Sequence, residues 1–412
     1  MRKDFSGLGD LWGVSFLCGD AGTLRAAASC APLPPFSSEA MDFLDKLSRV
    51  LLASPEARSY VDVASFAFWC RRAGLVQMKS SYPDLDGRLG RGVAFHIAPS
   101  NVAVNFAYSM AAGLLTGNAN VVRVPSVDFP QVRVIRDAVA SALAARPDMT
   151  PYVCLLRYGH ERAVNDALSA MCDTRVIWGG DRTIDEIRAS RIGPRAMDVT
   201  FADRYSICLI DASRYLEMSD KARIAADFYN DTLLTDQNAC TSPKLVAWMG
   251  DGIEDARGLF WGAFEARSSG YALQPISAVE RLVKFCRLCA DRGGARRVSW
   301  AGDIAFKVEL DSLDDRVVDY FGNCGYFLEY RADCIDDLYP ICGEGCQTMV
   351  VLGVDADVID DFLLRRRPKG LDRIAPMGRA MDFSLRWDGY DLPYVMTRRR
   401  SVARSPRGGN IF

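Results

Sequence analysis

The stretch that decides the fold runs from Val93 to Val124 and reads VAFHIAPSNVAVNFAYSMAAGLLTGNANVVRV. It opens with the short apolar run Val93–Ala98, which predicts a buried strand. The turn Pro99-Ser100-Asn101 follows and can cap a helix. Val102–Leu115 predicts a buried helix that ends at Gly117-Asn118, and a second apolar strand comes after it. The order strand, helix, strand predicts a parallel β/α unit.

This stretch also imitates a membrane span. From Gly92 to Val122 the chain has no Asp, Glu, Lys or Arg, and a span needs only about 20 residues. Its polar residues cluster at two points, near Asn101 and Asn118, rather than along one face. We therefore interpret it as a buried strand, helix and strand, and a membrane span is the alternative.

The β/α pattern continues along the chain. Further elements of the first region are predicted as a helix over 131–145, a strand at Val153–Tyr158, a helix from Glu161, a strand at Arg175–Trp178 and a helix from Thr183. A second region begins near Ser206, with strands at Ile207–Ile210, Leu245–Trp248, Ala305–Leu310 and Thr348–Gly353 and helices near 217–230, 253–267 and 277–291. Strands that alternate with helices predict an α/β protein with parallel sheets.

Composition is that of a soluble globular protein. The chain has 412 residues, 49% of them hydrophobic and 25% charged, which suits two or three domains. A net charge of −2 gives no electrostatic argument for nucleic acid or an anionic membrane as a partner. Thirteen cysteines without a regular framework favour free thiols in a reducing compartment. We see no secretory signal and expect a cytoplasmic protein, and with only two histidines we expect no zinc site.

Cys240 is the strongest candidate for a nucleophile. It stands in DQNACTSP, Asp236–Pro243, where small and polar neighbours suit a reactive thiolate. A structural cysteine prefers apolar neighbours, as Cys208 has. Cys342 and Cys346 are the next candidates, and a purely structural role is the alternative for every cysteine.

Two turns offer hydrogen bond donors to a bound anion. The side-chain amide of Asn101 could donate to an oxyanion, or it could simply cap the helix. Gly179-Gly180-Asp181 stands between an apolar strand and a helix, where backbone N–H groups suit a phosphate. It lacks the full glycine fingerprint of a dinucleotide site, so a plain turn is the alternative.

Taken together, these segments resemble the acyl-CoA reductases related to the fatty acid reductase of bacterial bioluminescence. The similarity covers roughly residues 85–395 in order. Its blocks are Phe95–Val102, Asn105–Ser109, Gly113–Asn120, Arg123–Ser126, Val176–Asp181, Thr200–Ser206, Asp236–Pro243, Asp382–Ser384 and Trp387–Tyr390. That family is similar in turn to the aldehyde dehydrogenases. The resemblance implies a Rossmann-like nicotinamide domain with an N-terminal helical region over 1–205 and an α/β catalytic domain over 206–370. It also implies a segment, 371–412, that returns to the cofactor domain or to an oligomer interface.

The resemblance also implies a reaction. Cys240 takes the acyl group of an acyl-CoA, and NADPH reduces the acyl-enzyme to an aldehyde. Asn101 and the backbone N–H of Cys240 are the implied oxyanion donors. The implied cofactor-binding residues are Arg123, Ser126, Gly179, Gly180, Asp181 and Thr183. A homo-oligomer and partner proteins that transfer acyl groups are further expectations.

Two positions depart from the aldehyde dehydrogenase pattern. Met197-Asp198-Val199-Thr200 stands where oxidising members carry a carboxylate base, so Asp198 could replace that base or the position could be idle. Reduction needs no activated water, which fits a reductase. Ser126 stands near the position where many NAD-dependent members bind the ribose with a glutamate, and together with Arg123 it favours NADPH.

Two other functions stay open at this point. An NAD(P)-dependent aldehyde dehydrogenase would use the same cysteine in the oxidative or CoA-acylating direction. A non-catalytic subunit would only hold an acyl or nucleotide ligand. The presence of both Cys240 and Asn101 argues against the second alternative.

Overall fold

A computed structural model describes residues 13–100, 102–298 and 304–401. The chain divides into two compact units. The first contains the residues up to Ala202 and those from Tyr390 onward, and the second is Asp203–Gly389.

The first unit is built on a parallel sheet. The strands in this part of the chain are β1 (Ser15–Cys18), β2 (Arg88–Gly90), β3 (Val93–Ile97), β4 (Ala119–Arg123), β5 (Val153–Arg157), β6 (Thr174–Trp178) and β7 (Met197–Phe201). All of them except β2 belong to the sheet. The strand order is β1-β5-β4-β3-β6-β7, and only β1 runs antiparallel to its neighbour. The chain therefore proceeds outward from β3 in both directions, which places a topological switch point between β3 and β6.

Helices connect and flank these strands. They are α1 (Ala21–Ser29), α2 (Ser38–Ala53), α3 (Pro55–Ser59), α4 (Val61–Trp69), α5 (Arg72–Ser80), α6 (Asn105–Leu115), α7 (Pro130–Ala145), α8 (Arg162–Met171) and α9 (Asp181–Arg188). A 3₁₀ helix, Pro147–Tyr152, precedes β5. The predicted α/β alternation is confirmed. However, α6 begins three residues later than predicted, because Ala103 and Val104 form a turn before it.

A buried polar chain crosses the centre of this unit. Asn120 Nδ2 donates to the Asn118 carbonyl oxygen at 2.8 Å, which leaves Asn120 Oδ1 to accept from His96 Nε2 at 2.9 Å. His96 Nδ1 then accepts from Ser109 Oγ at 2.7 Å, and that hydroxyl accepts from Trp178 Nε1 at 3.0 Å. The imidazole is therefore neutral, and both of its nitrogens are satisfied. Burial lowers the pKa of His96 to about 4.

The second unit has a seven-stranded sheet. The strands in this part of the chain are β8 (Tyr205–Asp211), β9 (Pro243–Met249), β10 (Ala295–Val298), β11 (Phe306–Leu310), β12 (Tyr326–Arg331), β13 (Cys346–Leu352), β14 (Arg373–Pro376) and the two-residue β15 (Arg386–Trp387). The sheet order is β10-β11-β12-β9-β8-β13-β14, with β10 antiparallel and the other pairs parallel. The helices are α10 (Ala212–Glu217), α11 (Lys221–Asp231), α12 (Ile253–Arg267), α13 (Pro275–Arg292) and α14 (Ala356–Arg366). Three 3₁₀ helices also occur, at Leu233–Thr235, Asp315–Tyr320 and Ile335–Ile341.

A charged cluster lies inside this second unit. Glu329 on β12 is fully buried and accepts from the indole N–H groups of Trp248 and Trp261, each at 2.8 Å. Arg257 Nη2 pairs with Glu329 Oε2 at 2.9 Å. The carboxylate thus has a partner on both oxygens, which is the condition for burying a charge.

After Gly389 the chain returns to the first unit. The remaining elements are β16 (Tyr390–Asp391), α15 (Leu392–Val395) and β17 (Thr397–Arg399), and β17 pairs antiparallel with β2. The predicted boundary at 370 is wrong, because β14 pairs in parallel with β13 and keeps the chain in the second unit as far as Gly389. Within 13–100, 102–298 and 304–401 no helix is long and apolar enough to cross a membrane.

Candidate active site

Cys240 lies in the loop that leads into β9. The loop starts in a costly conformation, because Asp236 and Gln237 have φ of 52° and 54°. Left-handed backbone at residues other than glycine costs on the order of 1 kcal/mol or more each, and it persists only where other contacts enforce it. The side chains around the loop supply those contacts.

Gln237 clamps the loop to the sheet. Its side chain is fully buried, and Nε2 donates to the carbonyl oxygens of Pro243 and Tyr326 at 3.0 and 3.3 Å. Its Oε1 accepts from the backbone N–H of Gly325 at 2.6 Å. The glutamine of the sequence block therefore acts as a structural brace between β9 and β12.

The same loop is braced by a buried lysine. Lys244 Nζ donates to the Gln237 carbonyl oxygen and to Asn323 Oδ1. Asn323 Nδ2 in turn donates to Asn238 Oδ1 at 2.8 Å. Burial lowers the pKa of Lys244 to about 8, against the opposing effect of the nearby thiols Cys324 and Cys240.

Strand register fixes the backbone of Cys240. Ser206 on β8 lies opposite Pro243 of β9 on one side and Thr348 of β13 on the other. The hydroxyl of Ser206 donates to the carbonyl oxygen of Cys240 at 2.7 Å. The nucleophile candidate is thereby anchored where three parallel strands begin.

The thiol of Cys240 is half-buried and protonated at rest. Burial raises its pKa to about 11, and the negative charge of Asp388 adds to this rise. The Gln347 amide and the backbone N–H groups of Cys240 and Thr241 oppose the rise by hydrogen bonding to the thiolate. These groups stabilise a negative charge at Sγ once it forms.

A buried acid holds the segment that contacts Thr241. Asp231 accepts from the backbone N–H groups of Gly378 and Ala380 at 2.6 and 2.9 Å. Burial raises the pKa of Asp231 to about 7. Thr241 Oγ1 contacts the sulfur of Met381, the next residue of the same segment, at 3.2 Å.

In the first unit, the predicted cofactor residues lie at the carboxyl edge of the sheet. Gly179 follows β6, and Gly180 is the N-cap of α9 with no side chain to cover the helix N-terminus. A Cβ on Gly179 would come within 3.1 Å of Thr183 Cγ2, so this turn accepts only glycine without a shift. Asp181 lies in the first turn of α9, where its charge stabilises the helix but repels a phosphate.

Arg123 and Ser126 lie at the same edge, after β4. Arg123 Nη2 donates to the Gly159 carbonyl oxygen at 2.6 Å, and its guanidinium lies 4.5 Å from the centre of the Tyr158 ring. Ser126 is exposed in the following bend.

Asp198 serves as an ion-pair partner. It lies on β7 beside Arg175 of β6, which is 1% exposed. Arg175 holds both carboxylate oxygens, at 2.8 and 3.0 Å, and Arg188 lies 3.6 Å away. A carboxylate engaged in this way makes a poor general base, so the contacts favour the idle alternative for Asp198. Asn101, the predicted oxyanion donor, lies outside the described residues.

Sequence reasoning missed Gln347 and Asp388. Gln347 is 1% exposed and its Nε2 donates to Asp388 Oδ1. Asp388 belongs to the block Trp387–Tyr390, which contributes to the family resemblance but implied no role for Asp388. The other cysteine candidates, Cys342 and Cys346, are buried beside each other, and Cys342 Sγ donates to the Leu338 carbonyl oxygen at 3.1 Å. Within the described parts of the chain, no group of three or more His, Cys, Asp or Glu side chains could hold a metal ion.

Residues 71–259 match the family described as Acyl-CoA reductase (LuxC). Over this segment, a little under half of its length, the chain is similar to that family. The matched segment includes Cys240, Arg123 and the Gly179-Gly180 turn. No curated protein matches this chain.

Solved structures similar to this chain include aldehyde dehydrogenases. Aldehyde dehydrogenase 21 from Physcomitrella patens is 10% identical with a TM-score of 0.62, over 91% of this chain and 88% of that one. Salicylaldehyde dehydrogenase from Pseudomonas putida G7 is 16% identical with a TM-score of 0.60, over 93% and 91%. Lactaldehyde dehydrogenase from Escherichia coli is 12% identical with a TM-score of 0.59, over 92% and 87%. The expected aldehyde dehydrogenase-like fold is confirmed, and together with the family match it supports an oxidoreductase.

Proposed function

We propose that this protein reduces an acyl thioester to an aldehyde, with Cys240 as the carrier of the acyl group. The observation that carries the proposal is the braced Cys240 loop. It holds a half-buried thiol at the start of β9, where Ser206 binds the Cys240 carbonyl oxygen and Gln237 clamps the loop to the sheet. A structural cysteine needs no loop held in this way.

The first step is an exchange between two thiols. Cys240 Sγ forms a bond to the acyl carbon, and the bond from that carbon to the carrier sulfur breaks. The thiol proton of Cys240 leaves with the departing carrier thiol, for which we propose CoA. Negative charge builds on the acyl oxygen, and we propose the Cys240 backbone N–H and the Asn101 amide as its donors.

The second step is reduction of the acyl-cysteine. When bound, the nicotinamide supplies a hydride to the acyl carbon. The resulting thiohemiacetal loses the Cys240 thiolate and releases an aldehyde. Cys240 then takes up one proton and is ready for the next acyl group.

The cofactor would be held by the first unit. The switch point between β3 and β6 and the side-chain-free turn at Gly179-Gly180 fit a dinucleotide phosphate. We leave Asp181 out of the phosphate contact because of its charge. We propose NADPH, because Ser126 places no carboxylate at the ribose and the Arg123 guanidinium is nearby.

The direction of the reaction is also part of the proposal. Hydrolysis of an acyl-cysteine needs a base that activates water, and Asp198 is occupied by Arg175. We therefore favour reduction over oxidation of an aldehyde to an acid. All thirteen cysteines are free thiols, which fits the reducing cytoplasm that we propose as its location.

Intact mass spectrometry tests the proposal. The wild-type protein should gain one acyl mass from an acyl-CoA, and added NADPH should remove this mass and release an aldehyde. Cys240→Ala should gain none, and Cys286→Ala, which removes an exposed thiol, should behave as wild type. The proposal fails if wild type and Cys240→Ala gain the same mass, or if neither gains any.

A further inference from the structure

Residues 378–382 have no part in the reaction described so far, yet they reach the turn that carries the nucleophile. We infer that this segment is a strap that positions Cys240, and that the buried carboxylate of Asp231 anchors the strap. The inference rests on the proposed function, because it concerns the geometry of the acyl carrier. Asp231 acts through the strap and touches no reacting atom, so it is a positioning residue.

Cys240 lies at the centre of a tight turn. The backbone N–H of Ser242 donates to the carbonyl oxygen of Ala239 at 3.0 Å. This spacing of donor and acceptor is that of a β-turn, with Cys240 and Thr241 as its two central residues. The Ser206 hydroxyl holds the turn at the Cys240 carbonyl oxygen, at 2.7 Å. The orientation of the whole turn therefore decides where the thiol points.

The strap supplies a further contact to the same turn. Thr241, the residue after Cys240, is 2% exposed, and its hydroxyl donates to the sulfur of Met381 at 3.2 Å. Met381 itself is 38% exposed, so packing fixes its side chain only in part. The position of this contact thus depends on how firmly the backbone of the strap is held.

Two side chains of opposite charge hold that backbone. Asp231, at the end of α11, is fully buried and accepts from the N–H groups of Gly378 and Ala380 at 2.6 and 2.9 Å. Arg373 of β14 donates to three carbonyl oxygens of the strap, at 2.7, 2.7 and 2.9 Å. Both kinds of backbone group in this short segment are therefore bound by charged partners, and hydrogen bonds to charged groups are the stronger ones.

The strap also fits closely against α11. Gly378 has φ of 86°, and a Cβ at this position would come within 2.8 Å of the Asp227 side chain. A buried carboxylate is unfavourable unless its oxygens are hydrogen-bonded, and the strap supplies these bonds to Asp231. The strap can therefore shift only if Asp231 gives up its bonds, and this connects the acid to the turn around Cys240.

Hydrogen exchange tests the connection without any acyl substrate. Full-length protein is exchanged at pH 8, and the peptide spanning residues 236–243 is read by mass spectrometry. Asp231→Asn keeps one acceptor oxygen but places an NH₂ group against the second N–H of the strap. Exchange in this peptide should therefore become about tenfold faster, as expected for the loss of a hydrogen bond to a charged group.

The matched control lies at the other end of the same helix. Asp220 is the N-cap of α11 and accepts from the backbone N–H of Arg223 at 2.9 Å. Asp220→Ala therefore removes the same kind of hydrogen bond without touching the strap. It should lower the thermal stability of the protein but leave exchange in the peptide 236–243 unchanged.

Single-turnover acyl transfer tests what the strap does for Cys240. With saturating acyl-CoA, Asp231→Asn should lower the rate constant of acyl uptake about tenfold or more, because catalysis is sensitive to small misplacements of a reacting group. The acyl-CoA concentration that gives half of the maximal rate should stay the same, since the strap orients the thiol and does not bind the carrier. Alkylation of Cys240 by the small reagent iodoacetamide should change less than about twofold, because it does not require a fixed orientation.

A double-mutant cycle locates the effect at the contact between strap and turn. Thr241→Val removes the hydroxyl at nearly constant volume and should slow acyl uptake, whereas Thr241→Ser keeps the hydroxyl and should recover most of that loss. Adding Thr241→Val to Asp231→Asn should cost little more than either change alone, because both break the same connection.

The outcomes separate this inference from the proposed function. The strap is refuted if Asp231→Asn and Asp220→Ala change exchange in the peptide alike, if Asp231→Asn takes up acyl groups as fast as wild type, or if the two losses in the cycle are additive. If wild-type protein gains no acyl mass, the proposed function fails, and the exchange comparison alone decides whether the strap holds the turn. Thermal unfolding checks that each variant is folded; if Asp231→Asn is not, the comparison of Thr241→Val with Thr241→Ser decides in its place.

Discussion

Acidification should destabilise the first unit through His96. The imidazole is 1% exposed, and its two nitrogens bond Ser109 and Asn120 at 2.7 and 2.9 Å. A proton added to Nδ1 would end the hydrogen bond that Nδ1 accepts from Ser109, and the hydroxyl, which already accepts from Trp178, would have to turn its own hydrogen away. The neutral ring therefore fits the hydrogen bonds of the fold, and burial disfavours the charged ring.

The sign and size follow from the two pKa values. An unfolded histidine titrates near 6.5, and burial lowers the pKa of His96 in the folded unit to about 4. Between these values the unfolded chain binds more protons, so the free energy of unfolding falls as pH falls from about 6.5. The full loss is about 3 kcal/mol near pH 4, and about 2 kcal/mol is already lost at pH 5.

Two measurements check this prediction. The chain has only two histidines, so ¹³C-histidine labelling gives two ring signals, and His96→Gln assigns them. The His96 signal should remain that of the neutral ring down to about pH 5. Hydrogen exchange at the β3 amides, corrected for the intrinsic effect of pH, should show the loss of stability below pH 6.5. A His96 ring that gains its proton near pH 6.5 in folded protein would refute the reasoning.

Three further predictions concern single residues. Asp198→Ala leaves the buried Arg175 without its carboxylate, so the free energy of unfolding in chemical denaturation should fall by about 3 kcal/mol. The folded variant should still take up the acyl mass. A stable variant that takes up none would show that Asp198 is catalytic. Burial raises the pKa of Asp231 from 3.8 to about 7, so the free energy of unfolding should fall by up to about 4 kcal/mol as pH rises between these values. Asp231→Asn should weaken this pH dependence. The prediction is contradicted if wild type and Asp231→Asn show the same pH dependence in chemical denaturation. Arg123→Ala should lower kcat/KM with NADPH at least tenfold relative to NADH, and an unchanged ratio would remove Arg123 from cofactor selection.

The fold of the first unit could be predicted from sequence because its strands are continuous apolar runs. Strands such as β3 and β5 are buried on both faces, so each stands out from its helical neighbours. The strand β12 could not be found in this way. Its sequence, YFLEYR, contains a glutamate whose burial depends on Arg257 and two tryptophans from distant parts of the chain.

The residues of the candidate site also differ in whether the sequence alone could predict them. Cys240 could be found locally, because its own neighbours are small and polar. The clamp by Gln237 and the pairing of Gln347 with Asp388 depend on the tertiary fold, which brings Gln347 into contact with a residue 41 positions away. Asp198 shows the converse: its position in the sequence suggested a base or an idle residue, and only the structure shows its ion pair with Arg175 of the neighbouring strand.

The raised pKa of Cys240 is compatible with the proposed chemistry. At pH 7.5 a thiol with a pKa of about 11 is ionised in only about one molecule in three thousand. Exchange of an acyl group between two thiols consumes no proton overall, however, because the departing carrier takes the proton that Cys240 gives up. A basic thiolate is also a strong nucleophile and a poor leaving group, so the acyl-cysteine persists until hydride arrives. Departure of Cys240 from the thiohemiacetal then needs charge stabilisation at Sγ, which backbone N–H groups of the loop would supply.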